Sequence, residues 1–174
     1  LSIELEPYQA LIKSVIFQQL RPASATAIFN RFKQNFDNNF PTEEKILASP
    51  ESKLKESGLS FNKRKTIIEI ARLLQKGELG NRQDFLMMND SQIIEKLTKI
   101  KGIGEWTAQM LMIFNLGKLD VFPAGDFALR KNYSLFKSIT SPLTMGELSK
   151  ISEEWKPFRS IAAWYLWRYK NIIT

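Results

Sequence analysis

Apolar residues recur three and four positions apart along nearly all of this 174-residue chain, and no stretch between turn signals sustains a two-residue alternation. A period of 3.6 buries one stripe of a helix, whereas a sheet with one wet face needs a period of two. The chain is therefore expected to be all-α. Pro7, followed by Tyr8, Leu11, Ile12, Val15 and Ile16, opens a first helix, and Pro22 suits the first turn of a second. Short helices are expected at 42–48 and 51–57, then a longer one from a Ser60 cap to about Lys76. Gly77, Gly80 and Asn81 read as a loop. Helices from Asp90 to Lys99 and from about Trp106 to Leu116 flank a tight turn at 101–104. A further helix opens at Asp126, Thr144 with Glu147 has capping-box form ahead of one ending near Trp155, and Pro157 begins the last. With no internal repeat, low-complexity tract or long linker, residues 1–174 read as a single domain, a compact bundle with room for two helical lobes.

The residue types that are missing narrow the chemistry. The chain has no cysteine and no histidine. That excludes disulfides, iron–sulfur clusters, thiolate zinc sites, imidazole bases and Ser-His triads. Any catalysis must rest on carboxylates, lysine, hydroxyls or backbone dipoles. Lys plus Arg number 25 against 18 Asp plus Glu, a net charge of +7 that favours a polyanionic partner such as nucleic acid. No apolar run approaches the roughly 18 to 20 residues that cross a bilayer, so no membrane partner is expected. The absence of cysteine suits a reducing, cytoplasmic compartment.

Four stretches can carry chemistry, and each has a bland reading beside its functional one. In "KGIGEW", Gly102 and Gly104 allow a very short helix–helix hairpin. The amides that begin the second helix then lack intrahelical partners and make a seat for a phosphate oxygen, with Lys99 and Lys101 beside it. An ordinary turn has the same local sequence. Asp126 in "VFPAGDFALR" is placed as a helix N-cap, yet a carboxylate at the mouth of a cleft could also stabilise positive charge on a sugar or orient a water. The tail "WKPFRSIAAWYLWRYK" puts Phe158, Ile161, Ala162, Tyr165 and Tyr169 near one face, expected to be core, while indoles at a cleft can stack on a base. In "SVIFQQLRPASATAIF", Gln18, Gln19, Leu20 and Arg21 form either a solvated turn or an apolar wedge flanked by amides and a cation.

The order and spacing of these pieces resemble the helix-hairpin-helix (HhH-GPD) DNA glycosylase superfamily, and within it the 3-methyladenine DNA glycosylase II, AlkA-like, branch. The matching text is "SVIFQQLRPASATAIFNRF", "GLSFNKRKTIIEIA", "LTKIKGIGEWTAQMLMIFNLGKLDVFPAGDFALRK" and "WKPFRSIAAWYLWR", roughly residues 8 to 170, with Asp126 lying 24 residues after Gly102. The resemblance implies two helical lobes flanking a cleft, the hairpin motif near 90–116, and hydrolysis of the N-glycosidic bond of alkylated bases in double-stranded DNA by a monomer. Asp126 matches the family's catalytic aspartate. Trp106 occupies the position at which bifunctional relatives such as endonuclease III carry a nucleophilic lysine, so a monofunctional enzyme without lyase activity is implied, with Trp106 as a wall of the base pocket. Trp164 and Trp167 are implied as further pocket aromatics. Leu20 matches the wedge, with Gln18, Gln19 and Arg21 beside it in the minor groove. Lys101, Gly102, Ile103, Gly104 and Thr107 would hold the DNA backbone, and hairpin carbonyls would bind a sodium or potassium ion; no other cofactor is implied.

The chain also departs from the family pattern. The usual hairpin proline is Lys101, and "RPAS" follows Leu20 where small and hydroxylated residues are usual. The missing cysteines set the chain apart from the iron–sulfur branch. Longer relatives carry an N-terminal β-rich domain, which is not expected within these residues. Two other functions compete: a non-catalytic hairpin module that only binds DNA, for which Asp126 would have no use, and a bifunctional glycosylase-lyase, against which Trp106 stands.

Overall fold

The computed structural model describes the backbone of residues 5–173 and the side chains of residues 5–169. Among these residues every regular element is helical, as the period requires: α1 Pro7–Phe17, α2 Pro22–Gln34, α3 Glu43–Ala48, α4 Glu51–Glu56, α5 Phe61–Gln75, α6 Arg82–Leu86, α7 Asp90–Thr98, α8 Glu105–Phe114, α9 Phe127–Phe136, α10 Met145–Ser152, a 3-10 turn Glu153–Trp155 and α11 Arg159–Ile173. The caps fall where the sequence puts them. Ser60 accepts from the Lys63 amide, and both halves of the Thr144–Glu147 box form. α6 follows directly on the 77–81 loop, in a stretch given no element from the sequence; Asn81 and Asp84 make a reciprocal capping box there, enough to start a helix of only five residues.

Tyr8, Leu11, Ile12, Val15 and Ile16 follow the i, i+3, i+4, i+7 pattern and are all buried. They make α1 the central helix, packed against α2, α5 and α8. Around it lies the larger core, including Phe32, Ile67, Ile70, Leu97 and Met112. A smaller core joins Leu129 and Tyr133 of α9, Leu148 of α10 and Ala163 of α11. Trp167 packs against both, and its ring lies 5.5 Å from that of Phe114.

The last helix corrects two expectations. It begins at Arg159 rather than Pro157, with the Phe158 carbonyl accepting from Ile161 and Ala162. Its aromatic stripe is not the buried face: Phe158, Ile161 and Tyr165 are 53%, 43% and 58% exposed, while Ser160 and Ala163 are buried. Small residues win because the 118–121 strap approaches α11 closely. The Ser160 amide donates to Leu119 O at 2.9 Å, and Ser160 Oγ accepts from the Val121 amide at 2.9 Å and donates to Lys118 O at 2.7 Å. A ring at 160 would push the strap away.

Candidate active site

The hairpin between α7 and α8 is held from beneath by α5. Gly102 has φ +95°, and a Cβ there would stand 2.2 Å from Thr66 Oγ1. Only glycine meets both the backbone angle and the close approach. The Thr66 hydroxyl, buried, donates towards Lys101 O at 2.9 Å and its own helix's Asn62 O at 3.0 Å. Ile103 is 4% exposed and anchors the turn in the core, so its side chain is unavailable to DNA. Lys101 is exposed, and Lys99 pairs with Glu95 at 2.8 Å. Gly104 caps α8 without a side-chain acceptor, so the first amides of that helix keep donors for an anion. Thr107 is likewise buried; its Oγ1 accepts from Gln18 Nε2 at 3.2 Å. These two expected backbone contacts, Ile103 and Thr107, therefore act as supports of the hairpin through their side chains.

Gln18 also donates to Gly102 O at 3.1 Å, which ties the end of α1 to the hairpin. Gln19 follows with φ +55°, in the left-handed region, and turns the chain outward. At the tip Leu20 is 39% exposed between exposed Gln19 and Arg21. Lys63 of α5 braces this loop: its Nζ donates to Ile16 O at 2.8 Å and to Gln18 O at 2.7 Å. Burial pushes the Lys63 ammonium below the usual lysine range.

Asp126 caps α9, as its sequence position suggests, and also takes a bond from α8. Oδ1 accepts from the Leu129 amide at 3.0 Å, capping α9, and Oδ2 accepts from Trp106 Nε1 at 2.8 Å. An indole N–H can only donate, so this contact orients the carboxylate without sharing a proton. The cap fixes one oxygen and the indole the other, and the Trp106 ring itself is 47% exposed. Next to it lies a cleft of about 600 Å³ lined by Ser14, Phe17, Gln18, Gln19, Leu20, Gly102, Trp106, Thr107 and Met110. One wall therefore holds the 18–20 loop, and the other the hairpin and indole. Sequence reasoning missed Ser14, Phe17 and Met110. Ser14 and Met110 each lie one helical turn from a residue it did identify, Gln18 and Trp106, and Phe17 directly precedes Gln18; that proximity was the available signal.

A family model described as the HhH-GPD superfamily base excision DNA repair protein matches residues 12–157. The chain belongs to the HhH-GPD superfamily. DNA-3-methyladenine glycosylase 1 of Schizosaccharomyces pombe is 40% identical to it over 168 residues, 96% of this chain and 74% of that protein. The solved structure of 3-methyladenine DNA glycosylase from that yeast in complex with abasic DNA aligns at TM-score 0.86 and 40% identity, over 94% of this chain and 80% of that one. The DNA-3-methyladenine glycosidase of Bacillus halodurans aligns at TM-score 0.87 and 31% identity, over 97% and 77%.

In this HhH-GPD chain the loop leading to Asp126 is pinned at its start by α11. Arg159 Nε donates to Asp120 Oδ1 at 2.7 Å and Nη2 to Oδ2 at 3.0 Å, a bidentate pair, while Nη1 reaches Glu153 at 3.0 Å. Hydrogen bonding to Arg159 holds the Asp120 carboxyl below the usual range, and the same bond raises Arg159. Trp164 and Trp167 of the tail do not join Trp106 in lining the cleft. Trp164 lines a separate hollow of about 290 Å³ with Leu119, Ile161 and Tyr165, and its ring carries the Arg168 guanidinium at 3.7 Å. Trp167, three residues on, turns inward between the two cores. The strap bonded at Ser160 sets which face of α11 turns inward, and Trp167, seven residues after Ser160, shares that face. No helix among the described residues is long and apolar enough to cross a membrane.

Proposed function

We propose that this protein is a monofunctional DNA glycosylase that hydrolyses the N-glycosidic bond of alkylated bases, of the 3-methyladenine and 7-methylguanine class, in double-stranded DNA. The pairing of Asp126 with Trp106 carries the reading. A base alkylated on a ring nitrogen is cationic and departs as a neutral group, so the reaction needs little acid catalysis. It needs a fixed anion beside the sugar as positive charge develops there. As the C1′–N bond breaks, its electron pair goes to the base; water then bonds to C1′ and loses its proton. Asp126, with one oxygen held by the α9 cap, supplies the anion and receives or directs that proton. Trp106 offers its ring as a stacking wall and has no amine for a Schiff base, so no lyase step follows.

The remaining groups serve access. Leu20 would enter the base stack while the lesion is turned out, at a lower cost for a damaged nucleotide than for a sound one. The α8 amides and Lys101 would hold a phosphate near the turn. Among the described residues no cluster of His, Cys, Asp or Glu could hold a metal ion. A sodium or potassium ion at the hairpin would share the Lys101 and Gly102 carbonyls with Thr66 and Gln18, or use their neighbours. Action as a monomer on nucleoid DNA in the cytoplasm completes the reading.

Release of free base from methylated duplex DNA tests it. Asp126→Asn, which keeps the size of the side chain, should slow release by about 10²- to 10³-fold and leave DNA binding nearly intact. Full turnover in that variant would refute the role of Asp126. Salt-sensitive binding without release from any lesion would favour the non-catalytic module instead.

A further inference from the structure

The stretch "GLSFNKRKTIIEIA" holds two polar side chains, Lys63 and Thr66, that point into the body of the molecule from one face of α5. They are three residues apart, so they sit side by side on that helix. Thr66 reaches the hairpin at Lys101 O, and Lys63 reaches the end of α1 at Ile16 O and Gln18 O. Gln18 closes the triangle by bonding Gly102 O and Thr107 Oγ1. One face of α5 thus holds both loops that face the cleft.

We propose that Lys63 is a positioning residue for DNA unstacking, holding the Leu20 loop rigid and in register with the hairpin; this rests on the glycosylase reading. The last carbonyls of a helix have no intrahelical donor and lie at its negative end, where a cation is favoured. An ammonium with two donors committed there stops the last turn of α1 from fraying. It also sits immediately before Gln19, whose φ of +55° is a conformation that a non-glycine residue keeps only when its surroundings hold it. A wedge transmits force to a base stack only if its base does not yield. Without Lys63, Gln19 is free to relax to an ordinary backbone angle, and Leu20, exposed at the tip, would bend away from the DNA rather than enter it.

A phosphate contact is the obvious alternative use of a lysine at such an interface, but both identified bonds of Lys63 run inward to backbone carbonyls. The test uses Lys63→Met, which keeps the stem and removes the donors, with Lys63→Gln in parallel, on duplexes carrying 2-aminopurine beside an abasic site. Its fluorescence reports unstacking on binding and needs no catalysis, so it stands whether or not base release is observed. The expected result is loss of most of the fluorescence rise in both variants, as in Leu20→Ala. Release from duplex DNA should fall about tenfold, while release of a lesion already unpaired in a bulge should change less than about twofold. A fluorescence rise equal to that of the unsubstituted protein would overturn the proposal. So would a fall in the salt dependence of binding by about one phosphate contact with unstacking retained. Absence of base release from the unsubstituted protein on every substrate would instead refute the glycosylase reading.

Discussion

Replacing Gly102 by alanine would put a methyl carbon 2.2 Å from Thr66 Oγ1 at a backbone φ of +95°. Two separable costs follow. The backbone angle alone is worth about 1–3 kcal/mol for a residue with a Cβ. The overlap, which a buried Thr66 bonded to Lys101 O cannot escape by rotating freely, adds about 1–3 kcal/mol of overpacking. Gly102→Ala should therefore destabilise the protein by about 2–6 kcal/mol. Thr66→Ala alone removes one buried hydrogen bond and should cost about 1 kcal/mol. In the double variant the 2.2 Å overlap is gone, leaving a milder 3.3 Å approach to the Cβ of residue 66, while the backbone strain stays, so Gly102→Ala should cost only about 1–3 kcal/mol in that background. Urea unfolding of the four proteins measures the cycle, with unchanged slopes as the check on two-state behaviour. A cost for Gly102→Ala below about 0.5 kcal/mol, or one that is the same with and without Thr66, would refute the close packing of the hairpin on α5.

Trp106→Phe keeps a ring in the cleft wall but removes the N–H that orients Asp126. Release of alkylated base should slow by about tenfold, mostly in kcat, with KM nearly unchanged; a change confined to KM would show that the indole acts only as a stacking surface. The Arg159–Asp120 pair gives a pH signature. Because hydrogen bonding to Arg159 lowers the folded-state pKa of Asp120, the pair's contribution is complete above the unfolded value of about 3.9 and is lost as pH falls through the folded pKa. Asp120→Asn should cost about 1 kcal/mol at neutral pH, a modest figure because the carboxylate is partly solvated, and should flatten the acid side of the stability profile. Thermal unfolding from pH 7 to pH 3 measures both, and an unaltered acid limb would contradict the assignment.

Local signals carried most of the secondary structure. Prolines at 7 and 22, the caps at Ser60, Asp126 and Thr144, and the apolar period of α1 act within a few residues, so they are legible without knowing what packs where. The hairpin was legible for the same reason, as was the place of Asp126 at a helix start. Tertiary structure decided the rest, because it depends on how helices rotate about one another. The sequence made Trp106 and Asp126 neighbours only by resemblance; it is the folding back of the loop between α8 and α9 that brings indole and carboxylate to 2.8 Å across 20 residues of chain. Nothing local tells that Ser160, the least apolar candidate, marks the buried face of α11, since the reason is a strap 39 residues earlier bonded to its hydroxyl. The same face carries Trp167 inward. Lys63 had no assigned role in the sequence beyond lying in a stretch that resembles the family. Only the convergence of α1, α5 and the hairpin turned it inward, because helix ends expose carbonyls whose partners the chain must supply from elsewhere.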